Sequence, residues 1–548
     1  MPSTPAADLL LTDVAVYCND DGRSWASEIA VKDGRIMALG GSAGDLAELR
    51  GPSTDVMSLP GRLVLPGFQD AHIHSPFAGR NRLRVWLNDD IGREAYLATL
   101  SQYARDNSDE PWIVGGGWAM ESFPGGLPTK EDLDAIVPDR PVFLFNKDVH
   151  GAWVNSAALR LAGITKDTPD PADGRIERDS STGEPTGMLH EGAAYTFNDT
   201  LVPLPAREEW EAAILNAQEH LHSLGITAWQ DAWVTPGTHD AYRALAADGR
   251  LTARVVGALW WDRHQGLEQI PQFLAQRENG VVGNYSATSV KIMTDGVLEN
   301  YSGALLEPYC DGCGGHTSNH GLSYVERDLL ASAVTELDRL GFQVHMHAIG
   351  DKAVRNALDA VGAARAANGV TDHRHHIAHV QIVHPDDIGR FAKVGAIANC
   401  QPLWAQSDAQ MDELTVPFLG QERVDMMYPF ASMMRAGARL AGGSDWSVTS
   451  ANPLEEIDVM VNRRDPADPD APVFLPEERV ALADAVAAFT SGTAHVNHDE
   501  ESGRLAPGMR ADLAVLDRNF FAEGAQPVAS ARVEWTIAAG ELVYERPS

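Results

Sequence analysis

The chain is poor in cysteine and in positive charge, and it has no long apolar run. Its 548 residues include only 4 cysteines. They are too few and too scattered for a disulfide framework, which fits a reducing compartment. Lysine and arginine total 43 against 77 aspartates and glutamates, a formal charge of −34. Such an excess repels phosphate, so neither nucleic acid nor an anionic membrane is an expected partner. No apolar stretch is long enough to cross a bilayer. The opening Met1-Pro-Ser-Thr-Pro-Ala-Ala-Asp8 lacks the basic segment and apolar core of a secretory signal. The expectation is a cytoplasmic protein that acts on a small molecule, with a homo-oligomer left open.

A hydrophobic content of 44% is enough for a sizeable core. The length suggests several domains or one large barrel with additions. Both ends read as β structure. Leu9 to Tyr17 has β character, and Asp33-Gly34 separates two short apolar runs as a hairpin turn does. Ala511–Leu516, Val533–Ile537 and Gly540–Tyr544 repeat the pattern at the other end. Residues 1–62 and 503–548 are therefore expected to share one small β domain.

Between them, short apolar segments alternate with amphipathic ones. Arg62 to Gln69 reads as a buried strand ended by Pro66-Gly67. Seven more follow, ending near Asp231, Leu259, Asp295, His347, His379, Cys400 and Asp445. Eight βα units over residues 63–502 indicate a (β/α)8 TIM-type barrel, with an open doubly wound sheet as the competitor. One spacing is irregular. About 150 residues separate His74 from the second strand, far beyond an ordinary connection. Residues 75–210 are thus an inserted subdomain. Its Trp112, Trp118, Phe123 and Trp153, with the Gly115–Gly117 run, form either a wall of a substrate pocket or a hydrophobic cluster of their own.

The ionisable residues at strand ends carry the chemistry. His72 and His74, in Asp70-Ala-His72-Ile-His74, share one face of a strand and offer two imidazoles to one point. His347, His379 and Asp445 end later strands, where the active residues of such barrels lie. A catalytic zinc takes about three protein ligands plus water. These five, with Lys291 inside the fourth strand, suit one or two divalent ions, zinc foremost, with a bridging anion between two. Lys291 can pair with Asp295 or Asp445. Alternatively, once desolvated, it can lose its proton and add CO2 to give a carbamate that bridges two metals. Asp445 can ligate metal or move a proton between water and a leaving amine. His345 faces the same way as His347, but its deeper position favours hydrogen bonding in the core. His375 and His376 read as supporting residues.

Taken together, these pieces resemble the amidohydrolase superfamily, most of all the branch of the YtcJ-like hydrolases and N-substituted formamide deformylase. The resemblance rests on residues 66–74, 148–156, 290–296 and 347–351, then on Gly443-Ser-Asp445 and residues 505–513. It covers nearly the whole chain. It implies a (β/α)8 barrel with a β-sandwich built from both termini. It also implies metal at His72, His74, His347 and His379, a carbamylated Lys291, and Asp445 as catalytic acid and base. One departure stands out. Many relatives place Glu before the histidine of the sixth strand, whereas this chain has Ala378-His379. A carboxylate that orients a ligand is therefore absent there.

Cys310 and Cys313 precede His316 and His320, but the glycine-rich spacing is too compressed for a zinc knuckle. A loop at the pocket mouth is the better reading. Gly40-Gly-Ser42-Ala-Gly44 matches a serine nucleophile pattern outside its required strand–turn–helix setting. Trp118, His150 and His316 are the candidate substrate contacts. The expected reaction is hydrolysis of a C–N bond in a small N-formyl or N-acyl amine, by metal-activated water with Asp445 as acid and base. A cyclic amide, lactone or aminated ring would suit the same machinery. A metal-free serine hydrolase using Ser42 and a silent binding protein are the remaining alternatives.

Overall fold

The computed structural model of the chain describes residues 6–547. Its centre is a parallel sheet of eight strands: Phe68–Ile73, Ile226–Val234, Arg254–Trp260, Tyr285–Met293, Gln343–Ala348, His376–His379, Ile397–Cys400 and Leu440–Gly442. The short Val281–Val282 pairs antiparallel with the fourth. The last strand lies beside the first. Asp445 N donates to His72 O at 2.8 Å, and the Asp70 carboxylate accepts from both His72 N (3.0 Å) and Ser444 N (3.1 Å). The expected TIM-type barrel is thus nearly closed.

Strand and helix sequences explain this architecture. The barrel strands are buried along most of their length, as a parallel sheet covered by helices requires. Helix Arg327–Arg339 buries Leu330, Ala333, Val334 and Leu337. Helix Asp351–Asn368 buries Val354, Ala357, Leu358 and Val361 at the same spacing. Each set is one apolar stripe of a 3.6-residue period, so the two helices pack side by side over the sheet.

The segment expected as one strand from Arg62 to Gln69 is divided between two sheets. Leu63–Pro66 pairs antiparallel with Leu513–Leu516 and parallel with Ala15–Tyr17. Phe68–Ile73 begins the barrel. Pro66 cannot extend a ladder as a donor. Gly67 passes so close to the second barrel strand that a Cβ would lie 2.5 Å from Thr227 Oγ1. The Pro-Gly step is therefore a crossing between sheets, and both histidines lie beyond it.

The two chain ends form a six-stranded sheet that faces a four-stranded one. Val16, Ile29, Val64, Leu513 and Ile537 share the core between them. The long segment before the second barrel strand holds its own sheet of six strands between Val85 and Glu191. Trp118, Phe123 and Trp153 pack in one of its apolar clusters, and Phe143 and Phe197 in another. No helix among the described residues is long and apolar enough to cross a membrane.

Candidate metal centre

The ends of the first, fourth, fifth, sixth and eighth strands deliver their polar side chains to one small cavity. His72, His74, Lys291, His347, His379 and Asp445 all line it. His72 Nε2 lies 3.3 Å from Asp445 Oδ1, and His74 Nε2 lies 2.9 Å from the same atom. His379 Nδ1 is 3.9 Å from Asp445 Oδ2. The ring centres of His72 and His379 are 4.7 Å apart, and those of His347 and His379 4.4 Å. Among the described residues, His72, His74 and Asp445 bring ligand atoms within 4.8 Å of one another.

Asp445 Oδ1, His379 Nδ1 and His74 Nδ1 are buried without a hydrogen-bond partner. Buried polar atoms are rarely left so, because each costs about 1–3 kcal/mol. The donor set fits a divalent cation, since imidazole nitrogen and carboxylate oxygen are ordinary zinc ligands. The protonation states fit as well. Burial pushes His72 down to about 3, with Lys291 adding to it. Burial likewise holds His347 and His379 well below the usual imidazole range. These rings are neutral, as ligands must be. At Asp445 burial acts to raise the carboxyl, and hydrogen-bond contact with the His72 and His74 rings acts to lower it.

Lys291 is 1% exposed, with Nζ 3.4 Å from His72 Nε2. Burial brings its ammonium down to about 7, so a neutral amine is accessible near physiological pH. It forms no ion pair with Asp295, whose oxygens accept backbone donors at Ala304, Ile349 and Gly350 instead.

The backbone at the site is held in unusual conformations. His379 and Asp445 have φ of 75° and 55°, a region costly for side-chain-bearing residues and common at functional sites. His379 N donating to Gln401 Oε1 (2.7 Å) and Asp445 N donating to His72 O hold them there.

Of the candidate substrate contacts, His150 lies in this cavity wall, its ring centre 5.6 Å from that of His347. Its Nδ1 is 2.9 Å from the buried Glu191 carboxylate. Burial alone would lower His150, but Glu191 raises it to about 9. Trp118 is elsewhere: it is fully buried in the core of the inserted sheet and donates to Leu144 O at 3.0 Å. Apolar packing claimed this ring, as its neighbours Phe123 and Trp153 show. His316 is exposed on a hairpin closed by the Cys310–His316 bridge, outside the cavity lining. Ser42 is exposed in a turn of the terminal domain.

The aromatic wall comes from residues the motifs do not mark. Trp404 stacks on His379 at 5.0 Å and 5°, and Trp233 meets His74 edge-on at 6.0 Å. Trp260 and Tyr195 complete it. Trp233 and Trp260 sit at the ends of the second and third barrel strands. The rule that such barrels work at their C-terminal rim would have found both. Past Trp404 and Val448 the cavity meets a wider chamber of about 640 Å³ that reaches Glu121, Glu299 and Asp408.

Comparison with known proteins agrees with this geometry. Residues 55–544 match the sequence model of the Amidohydrolase family. The chain is 28% identical to "Putative amidohydrolase YtcJ" of Bacillus subtilis over 94% of its length and 96% of that protein. It is 27% identical to N-substituted formamide deformylase of Arthrobacter pascens, covering 99% of both. An uncharacterized metal-dependent hydrolase from Pyrococcus furiosus superposes with a TM-score of 0.71 at 27% identity, covering 93% of this chain and 99% of that one. The chain therefore belongs to the amidohydrolase family.

Proposed function

We propose that this protein hydrolyses the C–N bond of a small N-formyl or N-acyl amine bearing a hydrophobic substituent. The observation that carries the reading is the convergence of His72 Nε2 and His74 Nε2 on Asp445 Oδ1, an atom with no hydrogen-bond partner. His72, His74, His347, His379 and Asp445 would hold one or two divalent ions, zinc foremost given nitrogen and oxygen donors. A carbamate on Lys291 would add two oxygens. A bound divalent ion polarises a carbonyl and makes water acidic enough to attack near neutral pH.

The chain's own residues supply the rest. Asp445 is ionised and lies against both histidines of the first strand, so it can accept a proton from attacking water and return it to the departing nitrogen. His150, fixed by Glu191, faces the same space from the insertion and is placed to contact substrate. Trp233, Trp260 and Trp404 give an apolar wall that excludes water and holds the amine substituent. The name of the deformylase relative supports the amide class. The free cysteines Cys18, Cys310, Cys313 and Cys400 suit a cytoplasmic setting.

The test is hydrolysis by the full chain of N-formyl benzylic amines, N-acyl amino acids, hydantoins and lactones, with metal content measured alongside. Turnover of a formyl or acyl amine that stops on chelation and returns with zinc supports the proposal. Turnover confined to lactones, or undiminished after complete metal removal, would sink it.

A further inference from the structure

Below the metal centre, the barrel interior is filled by a chain of polar side chains. His72 Nδ1 lies 2.8 Å from His345 Nε2. His345 Nδ1 lies 2.8 Å from Gln230 Oε1, and His376 Nε2 reaches the same oxygen at 2.9 Å. Gln230 Nε2 faces Gln343 Oε1 at 3.0 Å and Asn497 Oδ1 at 3.1 Å. Gln343 Nε2 ends the chain on two backbone carbonyls, Arg374 O at 3.0 Å and Val496 O at 2.7 Å. Gln230, His345 and His376 are fully buried.

The backbone end fixes where every proton sits. A carbonyl only accepts, so Gln343 must turn its NH2 to Arg374 and Val496 and its oxygen to Gln230. Gln230 then donates to Gln343 and Asn497, which leaves its own oxygen for the histidines. His345 and His376 must both donate to that oxygen. No carboxylate lies against His345 or His376 to balance an imidazolium, so each of these rings is neutral and its second nitrogen is bare. Bare His345 Nε2 accepts from His72 Nδ1, so in the neutral His72 ring the bare nitrogen is Nε2, the one that faces Asp445 Oδ1. Two contacts outside the chain agree. Asn399 Nδ2 donates to Ala71 O (2.9 Å) and to the bare Nδ1 of His376 (3.1 Å). Lys291 Nζ approaches His72 Nε2 as a donor would.

We infer that Gln230, oriented by Gln343, is a positioning residue: through His345 it fixes the tautomer of His72, so that Nε2 meets the metal point with its lone pair free. Ligand histidines usually take this instruction from a carboxylate, a backbone carbonyl or water. Here the instruction begins at two backbone carbonyls and crosses two amides and an imidazole. The inference rests on the metal-centre reading for what His72 Nε2 does, but not for where the proton lies.

The experiment uses the metal-stripped full chain in two measurements: zinc affinity by chelator competition, and long-range ¹H–¹⁵N NMR of the labelled histidines. In the wild type, His72 carries its proton on Nδ1. Gln230→Leu removes the acceptor and weakens zinc about 10–100-fold, the usual cost of losing such a partner. Gln230→Glu keeps an acceptor for both histidines and retains near-native affinity and the Nδ1–H form of His72. A wild-type His72 protonated on Nε2 overturns the inference. So does equal zinc affinity in Gln230→Leu and wild type, or equal weakening in Gln230→Leu and Gln230→Glu. A wild-type chain that binds no zinc would count against the metal reading instead, and the NMR form of His72 would still decide the proton chain.

Discussion

Two groups of buried histidines share one barrel, and they differ in how their nitrogens are satisfied. On the floor, both nitrogens of His345 and of His376 have partners at 2.8–3.1 Å. His375 is likewise held, by Val344 N and Asp338 at 3.0 Å each. At the rim, His74 Nδ1, His379 Nδ1 and Asp445 Oδ1 have none. His72 and His379 at the rim are as buried as His345 and His376 on the floor, so burial alone does not mark a site. What separates them is the orphaned lone pairs at the rim, an arrangement that folding alone does not favour. His72 belongs to both groups: one nitrogen faces the satisfied floor and the other the unsatisfied rim.

The comparison breaks most visibly at Asp445. Asp445→Asn should lower kcat by about 10²–10⁴-fold, the range for losing a general acid and base, while most zinc stays bound. Near-normal turnover would refute the assignment. Lys291 tests the rim through pH. Burial lowers its pKa from the ordinary 10.5 to about 7. Between those values the unfolded chain binds the extra proton, so the metal-free protein should gain stability as pH rises from about 7 towards 10. Lys291→Met should flatten that rise in chelator-treated thermal melts, and unchanged slopes would contradict the desolvated-lysine account.

On the floor the expected effects are structural. His375→Leu leaves Asp338 short of a buried partner and should cost about 1–3 kcal/mol in urea unfolding. Zinc affinity should not move; a large loss would erase the distinction between floor and rim. Smallest of all is His316→Ala, expected to leave kcat and KM unchanged because the side chain is exposed away from the cavity.

Much of the barrel was legible because its strands are apolar runs that end in ionisable residues, a pattern carried by consecutive residues. His72, His74, Lys291, His347, His379 and Asp445 stood out for that reason, and the structure brings them into one cavity. Pro66-Gly67 does end a strand, Leu63–Pro66, but a Pro-Gly break looks alike whether the chain then turns away or crosses to a strand of another sheet, as it does here. Trp118 and Trp404 show a second limit. Both are tryptophans beside glycine-rich or loop sequence, yet one packs on Phe123 and the other on His379. Only tertiary contact decides which aromatic lines a pocket. Glu191 was illegible for the same reason: its role depends on His150, forty-one residues earlier.

The central claim is that the rim side chains His72, His74, His347, His379 and Asp445 are metal ligands. Zinc X-ray absorption on the zinc-loaded full chain tests it most directly. The account predicts one or two zinc ions per chain with imidazole nitrogens at about 2.0–2.1 Å, lost in the His72→Ala/His74→Ala double variant. A spectrum of hydrated zinc with oxygen neighbours alone, or one unchanged in that variant, would contradict it.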